Sequence, residues 1–209
     1  MLVAAEPVGQ ERGHAVGNGL RIIGEDGNEV PTGETGEIYF LPNDGAGSTY
    51  HYLGATPKRR ADGWESLGDI GRLDAEGYLY LGDRLADMIL RGGANIYPAE
   101  VEAAVSAHPK VRSCVVVGLP DPEFGQRVHA ILELGPDTDA QSVADGMGAF
   151  LADRLSRYKH PESFEATGVG LRDDSGKVRR TLLRDERALW LKENRAFLFM
   201  PAHAAAKAD

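Results

Sequence analysis

The sequence predicts an α+β fold: a β-rich stretch first, then a small α+β domain whose central sheet is flanked by helices. Two observations carry this expectation. Short strand-like runs broken by glycine-containing turns fill residues 1–84, a texture that suits a small antiparallel sheet or barrel at the edge of something larger. From about residue 85 to residue 190, apolar strand patterns alternate with segments of helical spacing. Residues 191–209 read as a tail, frayed from Ala202 onward.

In order, Gly19-Leu-Arg-Ile-Ile-Gly24 is a strand pattern stopped by the turn Glu25-Asp-Gly-Asn28. Gly33-Glu-Thr-Gly36 is a second turn, and Glu37 to Leu41 the next strand. Residues 42–63, rich in Pro, Gly, Asn, Asp and Ser, read as an exposed loop carrying the basic cluster Lys58-Arg-Arg60. Ile70 to Leu81 reads as a hairpin turning at Asp74-Ala-Glu-Gly77. Met88 to Arg91 is a strand leading into Gly92 and Gly93. Pro98 suits a first helical turn, and Ala99 to Ala107 continues the helix with Glu100 and Glu102 near its start. Val111 to Leu119 is a continuous apolar strand, and Arg127 to Leu134 pairs with it. Asp139 is placed to cap a helix over residues 140–157. Glu162 to Val169 is a last strand and Lys177 to Leu191 a last helix.

Composition excludes several classes. With 23 Lys and Arg against 32 Asp and Glu, the formal net charge is −9, which argues against nucleic acid or an anionic membrane as the main partner. A single cysteine rules out an internal disulfide framework and fits a reducing cytoplasm. No apolar run approaches the roughly 18–20 residues that span a bilayer. Six scattered histidines show no paired spacing for a metal site. Cys114 reads as a buried, inert thiol, His108 as a helix-end residue, and Trp64 as loop packing.

Two constellations could carry chemistry. In Gly63-Trp-Glu-Ser-Leu-Gly-Asp69, followed by Asp83-Arg84, a short acid at a glycine turn could accept hydrogen bonds from a vicinal diol. An arginine across the hairpin could meet phosphate or ribose oxygens. The plainer alternative is a turn aspartate with a surface ion pair. The second is Ser175-Gly-Lys177, followed by Arg179 and Arg180. It is not a triphosphatase phosphate loop: Gly170 to Gly176 is one residue too long, Val178 stands where Ser or Thr would hold Mg²⁺, and Asp173-Asp174 would repel phosphate. What remains is a lysine on a flexible glycine turn, either a solvated basic turn or a compact positive charge free to swing onto a ligand.

Asp83-Arg-Leu-Ala-Asp-Met-Ile-Leu-Arg-Gly-Gly-Ala-Asn-Ile-Tyr-Pro-Ala-Glu-Val-Glu102 closely resembles the signature of acyl-CoA synthetases in the adenylate-forming superfamily. The resemblance continues through His108-Pro-Lys-Val111, Val116-Val-Gly-Leu-Pro-Asp121, Phe124-Gly125, Tyr158-Lys-His-Pro161 and Ser175-Gly-Lys-Val-Arg-Arg180. Upstream, Gly33-Glu-Thr-Gly-Glu-Ile-Tyr39, Gly63-Trp64, Gly68-Asp69 and Asp74-Ala-Glu-Gly-Tyr78 fit in the same order, so it covers roughly residues 15–185. The form around Gly92-Gly93 is similar to fatty or aromatic acid–CoA ligases rather than to peptide-synthetase modules.

The resemblance implies two half-reactions with Mg·ATP, a carboxylic acid and CoA as substrates and no tightly bound cofactor. The carboxylate attacks the α-phosphate to give an acyl-adenylate and pyrophosphate, and a thiol then displaces AMP. It implies that Asp69 holds the ribose hydroxyls, that Arg84 contacts ribose or phosphate, and that Lys177 stabilises charge during adenylation. Gly92 and Gly93 would face the thiol tunnel after the small domain rotates, with Ala86 at the hinge. Three departures stand out. Leu67 replaces the usual threonine, with Ser66 beside it; Ala86 replaces an Asp or Lys; Leu171-Arg-Asp-Asp174 replaces the usual lead-in to the lysine.

The family also needs a Gly/Ser/Thr-rich loop ending in lysine and a large α/β region for the acid, and these residues contain neither. The expectation is therefore the C-terminal portion of a synthetase. Residues 1–84 would be the end of the large adenylation domain and 85–190 the entire small mobile domain. The missing large N-terminal domain would be the partner, and the chain would be inactive alone. The alternatives are a non-catalytic nucleotide- or CoA-binding module, and a subunit that complements a separate large domain.

Overall fold

The computed structural model describes residues 19–42, 58–174, 176–195 and 197, together with the backbone of 12–14. The chain divides into two compact units, Met1–Ala86 and Asp87–Asp209.

In the first unit, β1 (Arg12–His14), β2 (Leu20–Ile23), β3 (Gly36–Phe40), β5 (Glu65–Leu73) and β6 (Tyr78–Arg84) form one antiparallel sheet in the order β1-β6-β5-β3-β2. The short strand β4 (Lys58–Arg59) pairs with β5. Asp74 shapes the β5–β6 turn: its carboxylate accepts from the Tyr78 N–H at 2.8 Å and the Tyr80 hydroxyl at 2.9 Å. Trp64 is buried with Ile23 and Tyr39, and the Arg21 guanidinium lies over its ring at 4.2 Å, so Trp64 packs, as expected.

In the second unit, β7 (Ile89–Arg91) and β8 (Ala94–Ile96) form a hairpin. Then come α1 (Pro98–Ser106), β9 (Val111–Asp121), β10 (Gly125–Leu134), α2 (Ala140–Leu151), β11 (Ser163–Thr167) and α3 (Arg180–Lys192). The central sheet runs β11-β10-β9, antiparallel between β9 and β10 and parallel between β10 and β11. Helices cover both faces. Val116, Val128, Ala130 and Leu132 pack with Val101 and Val105 of α1 and Val143, Met147 and Leu151 of α2. Val115, Val117, Leu119 and Ile131 face Leu183, Trp190 and Leu191 of α3. A sheet covered twice has no wet side, which explains the unbroken buried run Cys114–Leu119. Burying each such aliphatic side chain contributes about 1.5–3 kcal/mol.

Several boundaries differ from the sequence expectation. The hairpin strand starts at Glu65 rather than Ile70, and Ala94–Ile96 is a strand. Lys58 and Arg59 are exposed, and the cluster is also paired: Lys58 Nζ lies 2.5 Å from Glu37 Oε2 and Arg59 Nε 2.8 Å from Glu65 Oε1, while Arg60 donates to the Gly27 carbonyl at 3.1 Å. Helix α2 ends at Leu151 rather than 157. The chain leaves it to seat Leu155 in the core, and Pro161 holds His160 extended (ψ 137°). Residues 177–179 precede α3 rather than forming its first turn. Phe197, within the stretch read as tail, is buried against the His129 ring, 4.4 Å between centroids. Residues 43–57 of the expected loop and the end from Ala202 lie outside the described residues.

Candidate functional site

Asp69 and Arg84 face each other across the β5–β6 ladder as register partners. Arg84 Nε lies 3.7 Å from Asp69 Oδ1, with the arginine side chain 78% exposed and the aspartate 37%. An exposed pair at that distance is worth about 0–1 kcal/mol, so both groups remain free to exchange partners. Asp69 is not the end of a simple turn. Opposite β3, Ser66 pairs with Tyr39 and Ile70 with Glu37, leaving Leu67, Gly68 and Asp69 bulged across from Ile38 alone. Gly68 supports the bulge with φ +78°.

A polar network missed in the sequence lies beneath this bulge. Ser66 donates to Glu37 Oε1 at 2.8 Å and accepts from the Gly68 N–H at 2.9 Å. Glu37 Oε2 accepts from Lys58 at 2.5 Å and from the Tyr39 hydroxyl at 3.3 Å. Burial of the Tyr39 phenol, with the Glu37 charge beside it, pushes its pKa up. Serine and glutamate are 29 residues apart in sequence, and no local pattern couples them.

In the second unit, Gly92 and Gly93 are not strand residues. They form the two-residue loop of the β7–β8 hairpin, with φ +56° and +84°. Positive φ at both central positions is the requirement of a tight type I′ turn, which glycine meets without strain. The turn is braced from below. The Gly92 N–H donates to the Phe124 carbonyl at 2.9 Å, and the Leu90 N–H to Gln126 Oε1 at 2.8 Å. The Arg91 guanidinium stacks on Phe124 at 4.4 Å and pairs with Glu162. A side chain at Gly93 would meet no atom within 4 Å, so the turn's tip is open.

Lys177 is exposed and sits on a turn closed by hydrogen bonds among the described residues. Asp173 N–H donates to the Lys177 carbonyl at 3.0 Å, Gly176 N–H to the Asp173 carbonyl at 2.8 Å, and Lys177 N–H to Asp173 Oδ1 at 3.0 Å. Arg172 adds a bond to the Gly176 carbonyl at 3.1 Å. The neighbouring Ser175 lies outside the described residues. Just beyond, Arg180 opens α3 and ties it to the body: it pairs with Glu102 of α1, donates to the Val116 carbonyl at 2.7 Å and approaches Asp87 at 3.6 Å. Sequence reasoning read Glu102 only as a helix-start acid; Arg180 is its partner 78 residues later.

The remaining titratable groups of note are structural. Cys114 is buried, and burial pushes its thiol well above the ordinary value. His108 stands just past the end of α1, its backbone N–H donating to the Val105 carbonyl at 3.0 Å, and packs edge-on against Phe150 at 4.9 Å; burial, with Lys110 nearby, lowers its pKa. Among the described residues no group of three or more His, Cys, Asp or Glu could hold a metal ion, and no helix is long and apolar enough to cross a membrane. Ala86 is the last residue of the first unit and Asp87 the first of the second.

Residues 100–177 match the AMP-binding enzyme C-terminal domain family. The chain carries an AMP-binding enzyme C-terminal domain. The match to this domain ends on Lys177 itself. A feruloyl-CoA synthase from Amycolatopsis is 39% identical over 178 residues, covering 83% of this chain and 35% of that protein. ATP-bound MatB from Rhodopseudomonas palustris superposes with a TM-score of 0.68 at 29% identity, over 84% of this chain and 35% of that one. The o-succinylbenzoate CoA synthetase of Bacillus subtilis, solved with the acyl-adenylate OSB-AMP, gives 0.63 at 35% identity, over 80% and 34%. The chain thus spans about a third of the length of the relatives it matches. With its AMP-binding C-terminal domain, it corresponds to the C-terminal portion of CoA ligases of the adenylate-forming superfamily.

Proposed function

We propose that this chain is the C-terminal portion of an AMP-forming acid–CoA ligase that activates a carboxylic acid, of fatty or aromatic class, with Mg·ATP and passes the acyl group to CoA. The large adenylation domain supplies the acid pocket and the pyrophosphate grip; residues 1–84 complete its edge and 85–190 form the small mobile domain. In the first step a carboxylate oxygen bonds to the α-phosphorus as the bond to pyrophosphate breaks. Asp69 accepts hydrogen bonds from the ribose diol while Arg84 turns from it to ribose or phosphate oxygens. Lys177 donates to the oxygens on which charge accumulates, a placement worth about 3–4 kcal/mol in the transition state. In the second step the thiol sulfur bonds to the acyl carbon, AMP leaves, and the thiol proton is released. The Gly92-Gly93 turn lines the thiol's approach, and Ala86 is the pivot between the two arrangements.

The observation that best supports this reading is Lys177, an exposed amine on a turn closed by backbone bonds and backed by the Arg180 anchor. Such a lysine takes no part in the core and presents a compact positive charge able to meet an anion. The test is carboxylate-dependent ATP–pyrophosphate exchange. This chain alone is expected to show none. In the complete ligase, Lys177→Ala is expected to abolish exchange yet spare thiolysis of a supplied acyl-adenylate; equal loss of both steps removes the role given to Lys177.

A further inference from the structure

We propose that Ser66 is a positioning residue that sets Asp69 for its grip on the nucleotide ribose, a role that rests on the ribose reading of Asp69. The β5 strand cannot hold Asp69 by its ladder alone, because Leu67-Gly68-Asp69 bulges away from β3 and the register with β6 also shifts between Asp69 and Gly71. Bulges of this kind re-aim a side chain, and they free a backbone N–H that needs another acceptor. Ser66 Oγ is that acceptor, taking the Gly68 N–H at 2.9 Å, one residue before the acid.

The serine is itself fixed. A hydroxyl has one proton to give, and Ser66 gives it to Glu37 Oε1 at 2.8 Å, leaving its lone pairs for Gly68. Glu37 cannot turn away, since its other oxygen is held by Lys58 and Tyr39. Ser66 is 2% exposed and Glu37 9%, so water does not substitute for either bond. Leu67, 50% exposed and without a polar atom, cannot take over the task. The chain Lys58–Glu37–Ser66 therefore ends on the Gly68 N–H, one residue before Asp69, the register partner of Arg84.

The experiment compares kcat/KM for ATP and for 2′,3′-dideoxy-ATP in the complete ligase. The readout is the ratio, because a general loss of folding lowers both values and leaves the ratio unmoved. Ser66→Ala is expected to lower the preference for ATP about tenfold, the scale of one lost hydrogen bond in a buried network. Ser66→Thr, which keeps the hydroxyl, is expected to retain the preference, and Glu37→Gln to lower it in the same direction. If Asp69→Ala erases the preference while Ser66→Ala and Glu37→Gln leave it intact, the positioning role is overturned. If Asp69→Ala itself leaves the preference intact, the ribose reading of Asp69 fails first and the role of Ser66 falls with it.

Discussion

Arg187 of α3 and Glu165 of β11 form a bidentate ion pair inside the second unit, with Nε to Oε2 at 3.0 Å and Nη2 to Oε1 at 2.6 Å. Each residue is only 6% exposed. The guanidinium also stacks on Trp190, 4.8 Å from the ring centroid. The planar fork of arginine matches the carboxylate edge to edge, so the pair fixes both the height and the rotation of α3 on the sheet.

Removing one partner is expected to be worse than removing both. Arg187→Ala leaves Glu165 buried with only His129, 3.6 Å away, beside its charge, at a cost of about 3–5 kcal/mol. The double change Arg187→Met with Glu165→Leu replaces the charges by apolar volume and is expected to recover most of that loss. Urea unfolding of the two variants checks this; a double variant no more stable than Arg187→Ala would mean the two residues do not act as a pair.

Stability is expected to fall on the acid side in two stages. His129, fully buried, donates to or accepts from Ser163 at 2.8 Å and lies 3.6 Å from Glu165, with Arg127 and Arg187 as the other charges around it. Burial lowers its pKa below the ordinary 6.5, Glu165 only partly offsetting this. The unfolded chain therefore binds the histidine proton first, and stability drops as pH falls from about 6.5. Burial opposes ionisation of Glu165, but His129 and Arg187 outweigh it and hold its pKa below the ordinary 4.5. Its contribution is present above that value and is lost below it. Thermal unfolding across this range should show both stages, and His129→Gln should shrink the upper one to what His108 contributes while Arg187 still sustains part of the lower one. An unchanged upper stage in the variant would show that another group titrates there.

The two glycines of the β7–β8 turn are expected to respond unequally. Alanine at Gly93 meets no neighbouring atom and suffers only the left-handed backbone, about 1–2 kcal/mol. Alanine at Gly92 is also left-handed, at φ +56°, and in addition places Cβ 3.2 Å from Phe124 Cδ1. Chemical denaturation should therefore rank Gly92→Ala below Gly93→Ala; the reverse order would show that the Phe124 ring moves aside freely.

Local signals were readable in the residues, and long-range ones were not. Pro98 marks the start of α1, and Asp139 caps α2 by accepting from the Gln141 N–H at 3.1 Å. Both act within a few residues, where sequence order and spatial order coincide. The apolar run Val111 to Leu119 revealed a strand for a similar reason, and its burial on both faces came with the structure. Ala94–Ile96 did not reveal itself, since three residues are too few for a period to be counted. Lys177 and Asp69 were identifiable through motif resemblance, but what holds them was not. Glu37 with Ser66, and Glu102 with Arg180, become neighbours only once the sheet and helices have assembled.

The cover that α3 gives the central sheet bears on how this domain can be isolated. A fragment trimmed to the family-matched residues 100–177 would lose Ile89 and Ile96 from one core and Leu183, Trp190 and Phe197 from the other. Val115, Val117, Leu119 and Ile131 would then meet water as one greasy wall, an invitation to self-association. A soluble expression boundary belongs near Asp87 at one end and beyond Phe197 at the other, wider than the span by which the domain is recognised.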